Sequence, residues 1–458
     1  MKKRFPRGLL AAWCLGASLL FSACSVESGE GLASLPRLPG EYLALQQKVD
    51  AILEKGYAPA VAESGANRQA MQLQDLDGDG QNEIVSFYRS ATSGEYAVYI
   101  HKRQGDDYVE LGSARGYGRY LREVSYPRCE KGGARAVALS WGTEENATAG
   151  MTVHILGPEG LTEALAVGYS SSYITDLDGD GVDEIGLISF DKTGGSMLMT
   201  LYGFAEGQCQ EIDQAPLSLD AKSVAKISRG VSPSRASSSL YIDSLSANGG
   251  YVTDVMELRS GSLINAALGG GSLRSAATWR PVNIACQDID KDGTPEIPLA
   301  DLLPGYADPN DPDSCWKLRW TKFSDGAPHS VAMETYHASA DSWYMRWPDQ
   351  WGERVSVVRK NEAGVSKTAF LVPDEEAAPE EYLTPKTDNV LLNIWIFTGD
   401  NRQDHFSASG MKWLRTADNA IYAYSLPANR YPELTLTDEQ AVNYFNAVAT
   451  EWASEVYS

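Results

Sequence analysis

"DLDGDGQNE", residues 75–83, sets three aspartates on alternate positions, places glycines among them, and closes on a glutamate. Carboxylates held that close repel one another unless a positive charge lies between them. A hard cation such as Ca²⁺ answers the need, because it takes six to eight oxygens in irregular geometry. Asp75, Asp77 and Asp79 are read as side-chain ligands, Gln81 as a backbone-carbonyl ligand and Glu83 as the closing carboxylate. Gly78 and Gly80 let the chain curl around the ion through positive φ. An isolated match of this kind is also compatible with a solvated acidic turn.

The pattern then repeats. "DLDGDGVDE" (176–184) carries Asp176, Asp178, Asp180, Val182 and Glu184, and "DIDKDGTPE" (288–296) carries Asp288, Asp290, Asp292, Thr294 and Glu296. Three copies of D-x-D-x-D-G-x-x-E turn the reading from an acidic turn to a calcium loop, with up to three Ca²⁺ per chain. An EF-hand needs glutamate at loop position 12 and a helix on either side. Position 12 is Ser86, Leu187 and Leu299, and "EIVSFY", "EIGLISF" and "EIPLADL" follow instead. Those runs are short, apolar and β-branched, as strands are. The loops are therefore expected to join β-strands.

The strands set the architecture. The loops begin 101 and then 112 residues apart, about twice the repeat of a four-stranded blade. A metal-free unit falls in each gap. "YLREVSY…RAVALSW…MTVHILG…LTEALAVG" reads as four strands between the first two loops, and "VAKISRG…SSLYIDSL…GYVTDVMEL…SLINAAL" as four between the second and third. Further units are expected at "SWYMRWPDQWGERVSVV" and "NVLLNIWIFTG". Four-strand units at a period near 50 predict an all-β chain, a β-propeller of about seven blades, or six.

Those loops resemble the integrin-type FG-GAP or VCBS repeat. The resemblance covers roughly residues 67–430, strongly at the three loops and by strand pattern alone elsewhere. It implies a calcium-binding propeller with ligands at the first, third, fifth and ninth loop positions. The third copy departs from it at Lys291, where the other copies have glycine, and at Pro295.

The ends read differently. Lys2, Lys3, Arg4 and Arg7 precede "GLLAAWCLGASLLF", and "FSAC" ends at Cys24. Residues 1–23 are read as a signal peptide of the bacterial lipoprotein kind, which the resemblance of "FSAC" to a lipobox implies, with Cys24 lipidated. Phe21 stands where that box usually has leucine; an ordinary secretory signal or an uncleaved anchor are the other readings. The apolar run is too short for a confident membrane span, so the mature chain is expected to meet the membrane through lipid and not through a transmembrane helix. Residues 24–40 are a linker, about 50 Å if fully extended. Residues 41–56 form a helix with Tyr42, Leu45, Val49, Ile52 and Leu53 on one face, and the propeller is placed at 57–434. A second helix is expected at 435–458, with Thr437 and Gln440 as its capping box and Ala441, Phe445, Val448 and Trp452 on one face.

Charge narrows the partners. The chain has 39 Lys+Arg against 61 Asp+Glu. Removing the leader's four basic residues leaves a net charge near −26, which three Ca²⁺ would offset by six. A surface so acidic repels phosphate backbones and excludes nucleic acid as the natural partner. Of six cysteines, Cys129, Cys209, Cys286 and Cys315 lie beyond Cys24 with no C-x-x-C spacing. A Cys286–Cys315 disulfide and four free thiols are both open.

No catalytic constellation is legible. The five histidines show no metal-binding spacing, there is no G-x-S-x-G, and "SVAK" (223–226) lacks the companions of an S-x-x-K site. Trp316, Leu318 and Trp320 alternate as one core face. Trp343, Trp347 and Trp351 around Arg346 read either as core or as a ligand platform, since tryptophans beside arginine hold sugars and peptide aromatics. The expectation is a calcium-stabilised, lipid-anchored binding or scaffolding module outside the cytoplasm, with a protein or glycan ligand. The alternatives are an extracellular hydrolase and a lectin-like carbohydrate binder that uses the Trp343–Trp351 region.

Overall fold

A computed structural model describes residues 43–447, apart from 144–148, 192–194, 232–236, 310, 325, 379–380 and 418. The leader, Cys24, the linker and residues 448–458 lie outside the described residues.

Among the described residues one helix, α1 (Leu43–Leu53), precedes the strands. It buries Leu45, Val49 and Ile52, and its apolar face packs on Ile84 and Tyr108. The first sheet follows: β1 (Tyr57–Pro59), β2 (Met71–Gln74), β3 (Glu83–Ser90), β4 (Tyr96–Gln104) and β5 (Asp107–Arg115). β1 and β2 share one edge of β3, β2 against its start and β1 against its end. The second sheet is β6 (Tyr120–Ser125), β7 (Val137–Gly142), β8 (Ala149–Gly157) and β9 (Gly160–Tyr169). The third is β10 (Ser171–Thr175), β11 (Glu184–Asp191), β12 (Ser196–Ala205) and β13 (Gln208–Pro216), and the fourth is β14 (Ala221–Val231), β15 (Ser238–Ser246), β16 (Tyr251–Arg259) and β17 (Ser262–Asn265). In these three sheets the spatial order is the chain order.

The fifth sheet is β18 (Ile297–Leu302), β19 (Trp316–Ser324), β20 (Ala327–Ala338) and β21 (Trp343–Arg346). The sixth holds β22 (Ser356–Glu362), β23 (Val365–Leu371), β24 (Val390–Thr398), β25 (Lys412–Ala417) and β26 (Ala420–Ser425), with α2 (Arg402–Ser409) in the crossing that puts β26 beside β24 and β25 outside it. After α3 (Asp438–Tyr444), β27 (Phe445–Ala447) adds itself to β21.

Up-and-down antiparallel sheets of four strands, taken one after another, are the blades of an all-β propeller. Among the described residues there are six sheets, the lower of the two expected numbers. "SWYMRW" does not open a new blade, because β21 is the outer strand of the fifth sheet and pairs with β20. "NVLLNIWIFTG" is β24, the middle of the sixth sheet rather than the start of a seventh. The two expected units are one.

The chain packs as two compact units. One holds the described residues up to Tyr126 with Gly133–Ala166; the other holds Pro127–Gly132 with the described residues from Val167 on. In the first, Val85, Phe87, Val98 and Ile100 meet Val137, Leu139 and Trp141 in one core. In the second, Leu201, Leu240, Ile242 and Met256 form one cluster, and Trp343, Trp351, Phe370, Leu392 and Ile394 form another. Strands buried on both faces read as continuous apolar runs, which is why "EIVSFY" shows six buried residues in a row.

The C-terminal element differs from its expectation. The Thr437–Gln440 capping box is present, with Gln440 N donating to Thr437 Oγ1 and Thr437 N to Gln440 Oε1. The helix nevertheless ends at Tyr444. Phe445 becomes the first residue of a strand, stacked 5.7 Å from Trp343; the pairing with β21 and that apolar contact outweigh helical spacing. Val448 and Trp452 lie outside the described residues.

Candidate functional site

The three acidic loops fold by the same local rules. In the first, Asp75 Oδ1 accepts from Gly78 N at 2.8 Å and Asp75 Oδ2 from Gly80 N at 2.9 Å. Asp77 Oδ1 accepts from Asp79 N, and Asp79 Oδ1 from Gln81 N. Short aspartate side chains thus take up the N–H groups of a turn that no strand can satisfy. Asp176 does the same for Gly179 and Gly181, Asp178 for Asp180, and Asp180 for Val182. Asp288 serves Asp292 and Gly293, Asp290 also serves Asp292, and Asp292 serves Thr294. The positive φ that the turn demands falls on Gly78 and Gly179 in two copies and on Lys291, at +63°, in the third.

The closing glutamate is the buried member of each loop. Glu83 and Glu184 start the strand after the loop and Glu296 directly precedes its strand. Each turns Oε2 back to the backbone N–H of loop position two: Leu76, Leu177 and Ile289, at 2.8, 2.7 and 2.9 Å. That bond fixes the carboxylate and leaves Oε1 turned into the loop. Glu83 Oε1 and Glu296 Oε1 are buried with no hydrogen-bond partner. The first, third and ninth side chains come together in every copy, with one oxygen from each of Asp75, Asp77 and Glu83, of Asp176, Asp178 and Glu184, and of Asp288, Asp290 and Glu296 all within 4.8 Å of one another. Asp79, Asp180 and Asp292 are not part of these triads. Gln81, Val182 and Thr294 take part through their backbone N–H groups. The loops join paired strands in the first and third sheets; before the third loop only a single bridge forms, Gln287 to Glu296.

An all-carboxylate set with an unpaired buried oxygen fits a hard cation of the Ca²⁺ kind. The triads would hold it, and the ion would neutralise charges that otherwise face one another. The strain is plainest at Glu184. Burial raises its carboxyl, and the charges of Asp178, Asp176 and Asp180 raise it further, to about 7.

Sequence reading missed the basic residues. Ile84 pairs with His101, which sets Lys102 across from Glu83. Lys102 Nζ reaches into the first loop, bonding Asp77, lying 2.8 Å from Asp79 Oδ2 and coming 3.0 Å from Glu83 Oε1 off the hydrogen-bond direction. Burial works to lower its pKa, but bonds to Asp77 and Asp79 and the nearby Glu83 carboxylate outweigh that and hold it above the usual range. Ile297 pairs with Thr321, so Lys322 lies across from Glu296 in the same way. Its ammonium is 2.7 Å from Asp290 Oδ2, bonds Asp292, and is 3.6 Å from Glu296 Oε1. At the second loop Ile185 pairs with Tyr202, and the residue across from Glu184 is Gly203. Lys102 and Gly203 each follow the closing glutamate by nineteen residues, a spacing that carries no meaning until the hairpin register is known. The second loop is approached from outside: Arg128 pairs with Asp183 at 2.8 Å, and Lys131 Nζ lies 3.2 Å from Asp180 Oδ2.

The tryptophan platform fails. Trp343, Trp347 and Trp351 are 0%, 2% and 0% exposed, so no ring face is open to a ligand. They surround Phe370, with Trp347 edge-on to Trp351 at 5.2 Å. Trp347 Nε1 donates to Gly352 O and Trp351 Nε1 to Leu434 O. Arg346 is exposed and lies over Tyr444. A platform reading fails because apolar burial claims the rings, and the lectin-like alternative loses its residues with them. Cys129, Cys209, Cys286 and Cys315 are all buried free thiols, so the Cys286–Cys315 pairing does not occur. Cys286 instead lies against Asp243 and Thr253.

No protein-family model and no curated protein matches the chain. Solved structures do. A Bacillus licheniformis rhamnogalacturonan lyase is 11% identical with a TM-score of 0.26, over 85% of this chain and 76% of that one. The β-propeller domain of the Trilobed protease from Pyrococcus furiosus is 10% identical with a TM-score of 0.25, over 71% and 89%. The Dos1 propeller is 8% identical with a TM-score of 0.26, over 82% and 83%. At those scores the likenesses add nothing to what the sheets themselves establish. Among the described residues no helix is long and apolar enough to cross a membrane.

Proposed function

We propose that this chain is a calcium-stabilised β-propeller of the FG-GAP/VCBS kind, lipid-anchored through Cys24 on the bacterial cell envelope, and that it acts outside the cytoplasm as a binding or scaffolding module for a protein or glycan. One observation carries the calcium reading: three separate loops each aim a buried glutamate oxygen into the same pair of aspartates. A buried carboxylate oxygen without a hydrogen-bond donor, as at Glu83 and Glu296, is costly, and three copies of one arrangement are not accidents of a solvated surface. The anchor reading rests on the basic, apolar and "FSAC" segments before Ser25.

Thermal melts with excess Ca²⁺ and with EGTA test the first part. Extracellular calcium modules bind at about 10⁻⁴ to 10⁻³ M, and a melting temperature that EGTA does not lower refutes the occupied loops. Cys24→Ser tests the second. Release of the protein from membranes, or an unprocessed precursor, is expected; a processed species that still takes up lipid label rejects the anchor. A glycan and peptide array, probed with and without calcium, identifies the ligand class.

A further inference from the structure

The three loops are not equivalent, and the difference lies in one position of the neighbouring strand. Register places Lys102, Gly203 and Lys322 across from Glu83, Glu184 and Glu296. In the first and third loops a lysine ammonium rests on the third- and fifth-position aspartates and approaches the glutamate. It stands where a metal ion would draw the same oxygens together. The second loop has no side chain at that place. Among the described residues no basic group pairs with Asp178 or Glu184. Glu184 is only 5% exposed, and its Oε2 is held by the N–H of Leu177. Arg128 is committed to Asp183 through its backbone N–H and its guanidinium, and reaches Asp176 at no less than 3.8 Å. Lys131 pairs with Asp180.

Resting on the calcium reading above, we propose that the loop at 176–184 is the high-affinity Ca²⁺ site of this chain, and that Lys102 and Lys322 are built-in counter-cations that weaken calcium binding at the other two loops. An ion entering the first or third loop must displace an ammonium already neutralising two aspartates, or share the site with it against like-charge repulsion. At the second loop it meets three carboxylates with nothing to displace. The lysines also give their loops charge balance when calcium is scarce, so the dependence on the ion concentrates in the sheet of β10–β13.

The position can be exchanged. A side chain built at Gly203 meets the Cδ1 tip of Ile212 at 2.7 Å, and Ile212 is a surface residue, 37% exposed, that can turn aside. Calorimetric titration of the full chain with CaCl₂ compares wild type, Gly203→Lys and Lys102→Met. Wild type is expected to show one tighter step and weaker ones. Gly203→Lys should weaken the tight step by about ten- to a hundredfold, the range of ordinary site coupling. Lys102→Met, which keeps bulk and removes charge, should add a second tight step, and it decides the matter alone if Gly203→Lys does not fold. Three equal steps in wild type, or a titration unchanged by Lys102→Met, overturn the inequality while leaving calcium binding intact. No calcium uptake in wild type or in Lys102→Met overturns the calcium reading itself, and this proposal with it.

Discussion

Arg280 Nη2 lies 2.6 Å from Asp243 Oδ1, and neither side chain is exposed at all. The pair is completed by its neighbours: Thr253 Oγ1 and Cys286 N donate to Asp243, while Arg280 also donates to Thr253 Oγ1 and to the Ile284 carbonyl. It ties β15 and β16 to the segment that enters the third acidic loop. Removing one partner leaves a buried charge alone. Asp243→Ala is expected to cost about 3–5 kcal/mol, and the double change Asp243→Leu with Arg280→Met less than that. Urea denaturation of both variants checks it; a double variant as unstable as the single one contradicts it.

Lys291 makes a second, opposite prediction. It holds φ +63° where the first two loops place glycine, a conformation costing a side-chain-bearing residue about 1 kcal/mol. Glycine relieves that strain but gives more freedom to the unfolded chain, which takes back part of the gain. Lys291→Gly should stabilise by a few tenths to about 1 kcal/mol. A loss of stability in chemical denaturation means the lysine has a contact that outweighs its backbone.

His337 sets a pH dependence. Burial between Trp320 and Tyr344 depresses its pKa from 6.5 to about 3. Between those values the unfolded chain takes a proton that the folded chain refuses. Stability is therefore complete above the unfolded pKa and falls as the solution is acidified, by roughly 2 kcal/mol at pH 5 from this group alone. His337→Phe keeps the stacking and should flatten that part of the profile. Equal losses between pH 7 and pH 5 in wild type and variant rule it out.

The tryptophans of 343–351 carry stability rather than binding. Trp351→Ala should cost about 3–5 kcal/mol, the usual price of emptying a buried aromatic site. Thermal or urea unfolding reads it; a near-neutral result means that the ring is not the core member its burial makes it.

The acidic loops were legible because everything that defines them is local: aspartates two apart, a turn glycine, a glutamate opening the next strand. Blade pattern was legible at β6–β9 and β14–β17, where short apolar runs alternate with turns. It failed between 343 and 398, where the chain leaves the fifth sheet at Arg346 and enters the sixth at Ser356, too short a gap for composition to mark a boundary. Tryptophan spacing does not tell burial from display, since one pattern serves both until Phe370 is known to stand between the rings. Lys102, Asp243 and Arg280 were invisible for a related reason: each acquires its role from a residue on another strand, and register is a tertiary fact.

Calcium should act unevenly along the chain. One site filled at ten times its dissociation constant adds about 1.4 kcal/mol, and among the described residues the second loop is the one with no ammonium on its third-position aspartate and closing glutamate when the ion is withdrawn. Its aspartates and Glu184 then repel across the start of β11, while Lys102 and Lys322 go on holding the first and third loops. Chelation should therefore raise amide hydrogen exchange most in Ser171–Thr175 and Glu184–Asp191, and least in the corresponding β2 and β3. Local opening of this kind needs less than global unfolding, so it should show well below the melting temperature. Exchange measured with EGTA and with saturating Ca²⁺ gives the comparison segment by segment. A uniform rise across all three loops would mean the lysines do not substitute for the metal, and no rise anywhere would mean the loops do not hold it.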